Sequence, residues 1–366
     1  MKTIRIGISG VGNCASSFIQ GLEFYEDKDS ITGLMHPSIN GYRISHIKPV
    51  VGFDIDERKV DKDISRAIFA KPNVAKKFSP VPFLNAPVYV GPILDGVSDH
   101  MRGYPDHMTF KPTAKKSVDV AQKLRDHKVD ILINYLPVGS QEATEFYASE
   151  AIKAGVAFVN CIPVFIASHP KWVSKFKKAK LPALGDDIKS QLGATWTHRT
   201  LVQSFLDKGI KILFTSQENY GGNTDFLNMT DPNRIKGKLK SKESSIRHLI
   251  EDHELGGYEI PPIYAGPGTA ENNHGYVKGQ GDSKTAIIKV SGLGFGNLPI
   301  SVEANLSVED SPNSGGVVVD AVRCAKVALD RGLSGAIGPS SLFFKHPFNK
   351  VQDDEALSLM EEFING

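Results

Sequence analysis

The sequence contains few cysteines, and none are spaced for a disulfide framework or a zinc ribbon. Cys14, Cys161 and Cys324 are its three cysteines, an odd number separated by long stretches of chain. No CxxC pair is present, so a reducing compartment fits best. The eleven histidines show no HExxH or similar spacing, and the spacing of residues therefore identifies no metal.

Long apolar runs and an excess of one charge are also missing. No run approaches the roughly 18 residues that a membrane helix needs. Polar and glycine residues break the opening segment MKTIRIGISGVG before a secretory signal forms. The 43 Lys and Arg residues nearly balance the 41 Asp and Glu residues, which gives no general reason to expect nucleic acid or an anionic membrane. The sequence predicts a soluble, cytoplasmic protein with neither partner.

The chain lacks the GxSxG elbow of many hydrolases, so a serine-based triad is unsupported. It does have length and a balanced composition. Of its 366 residues, 40% are hydrophobic and 23% are charged. This composition predicts a packed core, and the length suits two domains better than one.

Strands and helices alternate over the first 210 residues. The predicted strands are 3–8, 48–55, one near Val88, 129–135, 156–161 and 181–184. The predicted helices are 15–26, 57–69, 113–127, 141–154, 170–179 and 194–208. A proline-rich stretch at 71–112 indicates a long irregular crossover. Such alternation is typical of a parallel, doubly wound sheet.

The pattern becomes richer in strands after residue 210. Strands are predicted at 211–217, 258–264, 284–290 and 299–307, with a lysine-rich helix at 242–251 and final helices at 314–331 and 353–363. We therefore predict an α/β fold, a Rossmann-like doubly wound parallel sheet with an inserted α+β domain. The expected division is a first domain at 1–200, the insertion at 201–306 and a return to the first domain at 307–366.

A glycine-rich turn follows the first predicted strand and opens the first helix. It reads Gly10-Val11-Gly12-Asn13-Cys14-Ala15. Glycine lets the backbone approach a pyrophosphate, and the helix N-terminus offers free N–H groups to it. Asp54 ends the second strand, where a carboxylate can accept from both ribose hydroxyls and would repel a 2′-phosphate, which favours NAD over NADP. A structural turn in a flavodoxin-like sheet is the alternative.

One departure and two further segments bear on this site. Asp54 lies 44 residues past Gly10, where roughly 20 is usual, and an insertion at 27–46 accounts for the excess. Asn134-Tyr135-Leu136-Pro137 and Asn160-Cys161-Ile162-Pro163 end predicted strands. Ligands lie outside such strand ends, so these segments are candidate cofactor contacts. The alternative is that they only terminate the strands.

A second polar cluster lies downstream. The segment 185–195 ends a strand and opens a helix with small residues and hydroxyls, which suits a phosphate. Lys238 and Lys242 are four residues apart, so on a helix they share one face, and an anion between them relieves their repulsion. A solvated basic helix face is the alternative. Nucleic acid is disfavoured because no aromatic residues interleave with the lysines.

Six segments, in this order, resemble the myo-inositol-1-phosphate synthase family in its shorter bacterial and archaeal branch. The resemblance spans nearly the whole chain. The segments are Gly10-Val11-Gly12-Asn13-Cys14-Ala15-Ser16-Ser17, Leu136-Pro137-Val138-Gly139-Ser140, Gly185-Asp186-Asp187-Ile188-Lys189-Ser190, Gly221-Gly222-Asn223-Thr224-Asp225-Phe226-Leu227-Asn228, Gly281-Asp282-Ser283-Lys284 and Asp310-Ser311-Pro312-Asn313-Ser314.

This resemblance implies an NAD-dependent conversion of D-glucose 6-phosphate to 1D-myo-inositol 3-phosphate, the first step of inositol and inositol-phospholipid biosynthesis. C5 is oxidised, an enolate forms and attacks the C1 aldehyde, and the cyclic ketone is reduced again. The net change is an isomerisation. The alternatives are a simple NAD-dependent dehydrogenase and a non-catalytic NAD-binding sensor. Four matching lysines argue against both.

The resemblance also implies roles for single residues. Lys238 would act at the C5 hydroxyl as base or hydrogen-bond partner, Lys284 and Lys345 would stabilise the oxyanion, and Lys242 would hold phosphate; these roles could permute. Asp187 and Asn223 would orient the lysines or the substrate. The implied phosphate contacts are Ser190, Gly193, Ala194, Thr195, Lys242 and Lys284. The expected cofactor contacts are Gly10, Gly12, Asn13, Cys14, Ala15, Asp54, Asn134, Leu136, Pro137, Asn160, Asp187, Asp310 and Ser311.

Two further properties follow from the resemblance alone. The inserted domain would carry catalysis and would build a homotetramer. A monovalent or divalent cation is also allowed, with Asp310 and Ser311 near it or near the nicotinamide.

Overall fold

A seven-stranded parallel sheet organises the N-terminal part of the chain. The computed structural model describes residues 2–26, 31–251, 260–268 and 275–366. The strands of this sheet are β1 (Ile4–Ser9), β2 (Ile47–Asp54), β3 (Val88–Val90), β4 (Ile131–Asn134), β5 (Ala157–Asn160), β6 (Pro182–Leu184) and, from the end of the chain, β11 (Gly335–Ala336). Their order is β11-β6-β5-β4-β1-β2-β3, and every neighbouring pair is parallel.

Four strands form a second sheet. They are β7 (Lys211–Gly221), β8 (Ile263–Pro267), β9 (Ser283–Leu293) and β10 (Pro299–Glu309), in the order β10-β9-β7-β8. β9 pairs antiparallel with both β10 and β7, whereas β8 runs parallel to β7.

Helices cover the first sheet and connect the two sheets. They are α1 (Asn13–Phe24), α2 (Ile64–Ala67), α3 (Val120–Asp126), α4 (Gln141–Ala154), α5 (Pro170–Lys178), α6 (Ala194–Asp207), α7 (Thr224–Asn228), α8 (Pro232–Glu251), α9 (Asp310–Asp330), α10 (Ser340–Phe343) and α11 (Asp353–Asn365). Every residue of β4 and β5 is buried, because helices lie on both faces of a parallel sheet. Within the described ranges, no helix is both long and apolar enough to cross a bilayer.

The C-terminal segment returns to the first sheet. α9 packs against α1 and against β5 and β6, and β11 pairs with β6. The predicted α/β architecture, with a doubly wound parallel sheet and a separate sheet, is confirmed. The division of the chain at residues 200 and 306 stays a prediction.

Two predicted helices are shorter than expected. The prediction of a helix over 57–69 is wrong, because α2 spans only four residues. The Asp56 carboxylate accepts from the backbone N–H and the guanidinium of Arg58, which holds this stretch as a turn, and Asp63 caps α2 at Ser65. The helix predicted at 113–127 begins only at Val120.

Two other predicted helices start earlier than expected. The lysine-rich helix starts at Pro232 instead of residue 242. Asp231 accepts from the N–H of Asn233, and proline suits the first helical position, so the sequence Asp-Pro is a start signal that the lysine pattern obscured. α9 starts at Asp310 instead of residue 314. Of the strand predicted at 258–264, residues 258 and 259 lie outside the described residues, and β8 begins at Ile263.

Candidate active site

One cavity lies at the C-terminal ends of β1, β4, β5 and β6, where they face the second sheet. Ligands bind at this edge of doubly wound sheets because helix N-termini and strand ends converge there. The wall includes the glycine-rich turn, the segments after β4 to β6, the first turns of α6, α7 and α9, and side chains from α8 and β9.

All four predicted lysines line this cavity. Lys238 and Lys242 lie one turn apart on α8, so their spacing of four places both ammonium groups on the same wall. Lys284 is the second residue of β9, and Lys345 follows α10. The fold therefore brings together four cations that are up to 107 residues apart in sequence, from Lys238 to Lys345.

The carboxylate of Asp187 is the anion at the centre of this lysine group. Its side chain is 1% exposed. Lys345 Nζ lies 2.8 Å from Oδ1, and Lys238 Nζ lies 3.7 Å from the same oxygen. Ser241 Oγ donates to Oδ2 at 2.8 Å. Burial alone would raise the pKa of Asp187, but Lys238 and Lys345 hold it well below its usual range, so the group is ionised.

Lys238 is stabilised as a cation. Burial by itself lowers the pKa of Lys238, but the carboxylates of Asp187, Asp225 and Asp310 outweigh burial and hold that pKa above its usual value. A lysine that keeps its proton at neutral pH is a poor proton acceptor and a good hydrogen-bond donor. Of the two actions expected for Lys238, the electrostatics favour donation.

Lys345 and Lys242 have the opposite tendency. Burial lowers the pKa of Lys345 to about 8, although Asp187 opposes the shift. Burial also lowers the pKa of Lys242 well below its usual value, and the charges of Lys284, Lys238 and Lys345 lower it further. These two amines lose a proton more easily than Lys238, which makes them the better candidates for a general base.

A second group of carboxylates lies beside Lys284. Lys284 Nζ contacts Asp310 Oδ1 at 2.9 Å. Asp282 accepts from Asn223 Nδ2 at 3.0 Å and from Ser311 Oγ at 2.9 Å. Burial, followed by the charge of Asp310, raises the pKa of Asp282 to about 6. Asn223 therefore orients an acid rather than touching a lysine directly.

Three of the acidic or amide residues at this site were not singled out by the sequence analysis. They are Asp282, Asp225 and Gln217. Asp282 and Asp225 stand inside segments that carry the family resemblance. An acidic residue in a segment expected to bind an anion was therefore the signal that could have identified them. Nothing in the sequence marks the third. In the described part of the chain, no three or more His, Cys, Asp or Glu side chains are grouped to hold a metal ion, and the cation stays a prediction.

The expected phosphate contacts surround the start of α6. Ser190, Gly193, Ala194 and Thr195 all line the cavity. Gly193 is the N-cap and has no side chain to satisfy the first N–H groups of the helix. Those donors and the positive end of the helix dipole face the same space as Lys242, which suits a phosphate dianion.

The glycine-rich turn forms the opposite end of the cavity. Gly10 has a φ of +87°, and a Cβ atom there would lie 2.6 Å from the carbonyl oxygen of Tyr135, so the position requires glycine. A Cβ at Gly12 would meet nothing within 4 Å. Asn13 and Cys14 line the cavity, while Ala15 is buried in the core.

Asp54 lies behind this turn and off the cavity wall. Its Oδ2 accepts from the N–H of Val11 at 2.8 Å, and its Oδ1 accepts from the N–H groups of Ile55 and Asp56 at 2.8 and 2.9 Å. The carboxylate thus braces the glycine-rich turn. Its contact with a ribose stays a prediction.

The two strand-end asparagines are also off the cavity wall. Asn134 Nδ2 donates to Asn160 Oδ1 at 2.8 Å, and Asn160 Nδ2 donates to Asp186 Oδ1 at 2.7 Å. These bonds tie β4, β5 and the segment after β6 together. Leu136 and Pro137 do line the cavity, as do Asp310 and Ser311.

Comparisons with known proteins show which family this chain is similar to. A family model described as myo-inositol-1-phosphate synthase matches residues 193–311. The inositol-3-phosphate synthase of Corynebacterium glutamicum is 46% identical over 99% of this chain and 98% of its own. That of Mycobacterium tuberculosis is 44% identical over 99% and 96%. A solved myo-inositol-1-phosphate synthase-related protein from Thermotoga maritima has a TM-score of 0.78 at 25% identity, covering 99% of this chain and 98% of that one.

The matched region contains much of the cavity wall. Residues 193–311 include the start of α6, Asn223, three of the four lysines and the Asp310–Ser311 pair. Identities of 44% and 46% extend over almost the whole of both chains. This chain therefore belongs to the myo-inositol-1-phosphate synthase family.

Proposed function

We propose that this protein converts D-glucose 6-phosphate to 1D-myo-inositol 3-phosphate, with NAD restored at the end of each turnover. The observation that carries the proposal is the meeting of four lysines and Asp187 in a cavity that also reaches the glycine-rich turn. A single hydride transfer needs one base. A sequence of oxidation, enolisation, ring closure and reduction needs several proton transfers and a stabilised oxyanion, for which this set is suited.

The phosphate of the substrate would bind at the start of α6. Free N–H groups of the first turn and the ammonium groups of Lys242 and Lys284 supply donors and positive charge. This end of the cavity would therefore hold the substrate's C6 side. The sugar would then extend toward Asp187 and Lys345.

The steps at C5 and C6 follow from the two kinds of lysine. Lys238, which keeps its proton, would donate to the C5 oxygen and stabilise the negative charge that develops there. Lys345, whose pKa is about 8, is neutral often enough to accept a proton. Asp187 holds both amines in place through its Oδ1. The hydroxyl proton released when C5 is oxidised would pass to a neutral amine of the site and return to the C5 oxygen when C5 is reduced. Ring closure would join C6 to C1, and the proton that Lys345 takes from C6 would pass to the C1 oxygen.

NAD would supply the hydride acceptor and donor at C5. The residues suited to hold it are Gly12, Asn13 and Cys14 at the N-terminus of α1, with Leu136 and Ser311 on the neighbouring wall. The open space in front of Gly12 would serve as the cradle for the pyrophosphate, because a Cβ atom there would meet nothing within 4 Å.

Alanine substitutions at the two glycines are expected to separate NAD binding from folding. At Gly12, where φ is −92°, alanine fits the backbone but occupies the cradle. NAD affinity should fall by roughly tenfold or more, with the melting temperature of the NAD-free protein unchanged. At Gly10, alanine is strained and clashes with Tyr135, so the free energy of unfolding should fall by more than about 1 kcal/mol. Calorimetric titration with NAD and thermal unfolding would measure both. Equal NAD affinity in Gly12→Ala and the wild type would contradict the cradle.

The activity itself is tested with glucose 6-phosphate and a catalytic amount of NAD, following inositol phosphate by phosphorus NMR and NADH by absorbance. Inositol phosphate in excess of NAD, with no net NADH, is the expected result. Net NADH without inositol phosphate would instead identify a simple dehydrogenase. If neither inositol phosphate nor NADH forms, even with K⁺, NH₄⁺ or a divalent ion added, the result would favour a non-catalytic NAD-binding sensor.

We also propose that the second sheet supports a homotetramer. Ile300 and Val302 on β10 and Phe295 and Leu298 before it are exposed apolar side chains. A row of such residues on a sheet commonly marks a contact between subunits. Light scattering after gel filtration would test the assembly.

We also propose a cytoplasmic location. It fits a cavity that would bind phosphorylated metabolites, and it fits the three free cysteines.

A further inference from the structure

Gln217 lies on β7 at the wall of the cavity and is 1% exposed. Its amide orientation is assigned from its charged and backbone neighbours, because the Lys242 ammonium group at one end needs an acceptor and the Ala194 carbonyl at the other end needs a donor. The Asn219 amide presents both Oδ1 and Nδ2 to the Lys242 end, at 3.0 and 2.9 Å, and fits either orientation. In that orientation Nε2 donates to the carbonyl oxygen of Ala194 at 3.1 Å, and Oε1 accepts from Lys242 Nζ at 3.2 Å and from Asn219 Nδ2 at 2.9 Å. One buried side chain thus connects the first residue of α6 with an ammonium group of α8.

Lys242 differs from the other three lysines in having no carboxylate partner. A carboxylate oxygen of Asp187 lies 3.7 Å from Lys238 Nζ and 2.8 Å from Lys345 Nζ. An oxygen of Asp310 lies 2.9 Å from Lys284 Nζ. Lys242 is 5% exposed and forms no ion pair in the part of the chain that the structure describes. An unpaired buried ammonium group is costly unless an anion completes it, so the site is prepared for one.

We infer that Gln217 is a positioning residue that fixes Lys242 against the phosphate-binding turn of α6 without neutralising its charge. The inference rests on the proposed function, since it assigns the anion to the substrate's phosphate. It adds a residue from β7 that the segments resembling the family do not include.

The side chain at this position has to be neutral and able both to donate and to accept. A carboxylate would pair with Lys242 and compete with the phosphate dianion. An apolar side chain would leave the Lys242 ammonium group and the Ala194 carbonyl without this partner. Glutamine meets both needs, because its amide offers an acceptor to Lys242 and a donor to Ala194.

Two variants, Gln217→Glu and Gln217→Leu, separate these effects. In both, the KM for glucose 6-phosphate should rise by roughly tenfold, with kcat changed by less than about threefold, because the phosphate is held but does not react. Calorimetric titration with inorganic phosphate should show the same weakening without any reaction. Gln203→Glu adds the same charge farther along α6 and outside the cavity, and should leave KM unchanged.

The pH dependence of phosphate binding distinguishes positioning from a general structural role. The charged groups that face Lys242 are Lys238 on its own helix, Lys284 on β9, Lys345, and Asp187 with the opposite sign. His198 on α6 also faces it, and burial lowers the pKa of His198 to about 4, so this ring adds no charge in the pH range of the test. Their balance and burial lower the pKa of Lys242, so phosphate binding should weaken as the pH rises and Lys242 loses its proton. Glutamate at 217 should move this loss to higher pH, whereas leucine should not.

Each outcome decides the matter. Unchanged phosphate affinity in folded Gln217→Glu, or in Gln217→Leu if the glutamate variant does not fold, would overturn the inference. Equal weakening of both variants with one common pH profile would reduce Gln217 to a structural residue, and a wild type that binds no phosphate would also overturn it. If the wild type makes no inositol phosphate but its phosphate binding responds as expected, the proposed function fails and the positioning role stands.

Discussion

Replacing Lys345 by methionine is expected to lower kcat by roughly a thousandfold while leaving NAD affinity unchanged. Lys345 Nζ donates to Asp187 Oδ1 at 2.8 Å and to the carbonyl oxygen of Ile188 at 2.6 Å. These two bonds fix the amine at the cavity wall. Methionine keeps most of the length of the side chain but can neither accept a proton at neutral pH nor carry a charge. Steady-state kinetics with the product assay would measure the loss.

The pH profile identifies what Lys345 does. The pKa of Lys345 is lowered to about 8, chiefly by burial. If the neutral amine accepts a proton, kcat should rise as the pH approaches about 8 and then level off, because the deprotonated fraction grows with pH. If the cation instead stabilises the C5 oxyanion, as the resemblance implied, the rate should fall above that pH. In either case the limb of the pH–rate profile near pH 8, where kcat changes with pH, should be absent from Lys345→Met.

Lys350→Met is the matched control. Lys350 belongs to the same C-terminal segment, is partly buried and lies off the cavity wall. Losing its charge should change kcat by less than about twofold. A Lys345→Met enzyme with a near-normal rate would remove Lys345 from the reaction.

Local patterns in the sequence were enough to predict the framework of this site. The strand–turn–helix around Gly10 is specified within about a dozen residues, because β1, the turn and α1 are adjacent in the chain. The spacing of Lys238 and Lys242 likewise fixes their shared wall once the segment is helical. The start of α6 at Ala194 follows from small residues after a strand.

The electrostatic roles could not be predicted in the same way. Whether Lys238 or Lys345 gives up its proton depends on Asp187, Asp225 and Asp310, which come from three separate segments. The bracing of Val11 by Asp54 depends on two strands lying side by side. Gln217 belongs to a strand whose periodicity shows that the strand is half-buried. The periodicity does not show which residues the Gln217 side chain faces. These properties arise only when distant segments meet.

Asp187→Asn is expected to affect both the reaction and the fold. The amide keeps the shape of the carboxylate and a contact to Ser241, but it removes the negative charge between Lys238 and Lys345. Without it the amines are no longer held in position, and kcat should fall by roughly a hundredfold or more. Losing one partner of a buried ion pair should also lower the free energy of unfolding by about 3 kcal/mol at neutral pH.

The same substitution should displace the pH profile in a predictable direction. Asp187 opposes the lowering of the Lys345 pKa, so its loss should lower that pKa further and move the limb near pH 8 to lower pH. Ser241→Ala is the control, because it removes one hydrogen bond and leaves the charge. In that variant the free energy of unfolding should fall by about 1 kcal/mol, and the limb of the pH–rate profile near pH 8 should keep its position.

The stability difference between the wild type and Asp187→Asn should itself depend on pH. The lysines hold the pKa of folded Asp187 below its unfolded value of about 4. Its contribution to stability is therefore complete above that unfolded value and is lost as the pH falls toward the folded one. Urea unfolding should give the full difference near pH 5 and a shrinking one in stronger acid. A difference that persists unchanged in acid would mean that Asp187 supports the fold through shape and hydrogen bonding, with its charge serving only to orient the lysines.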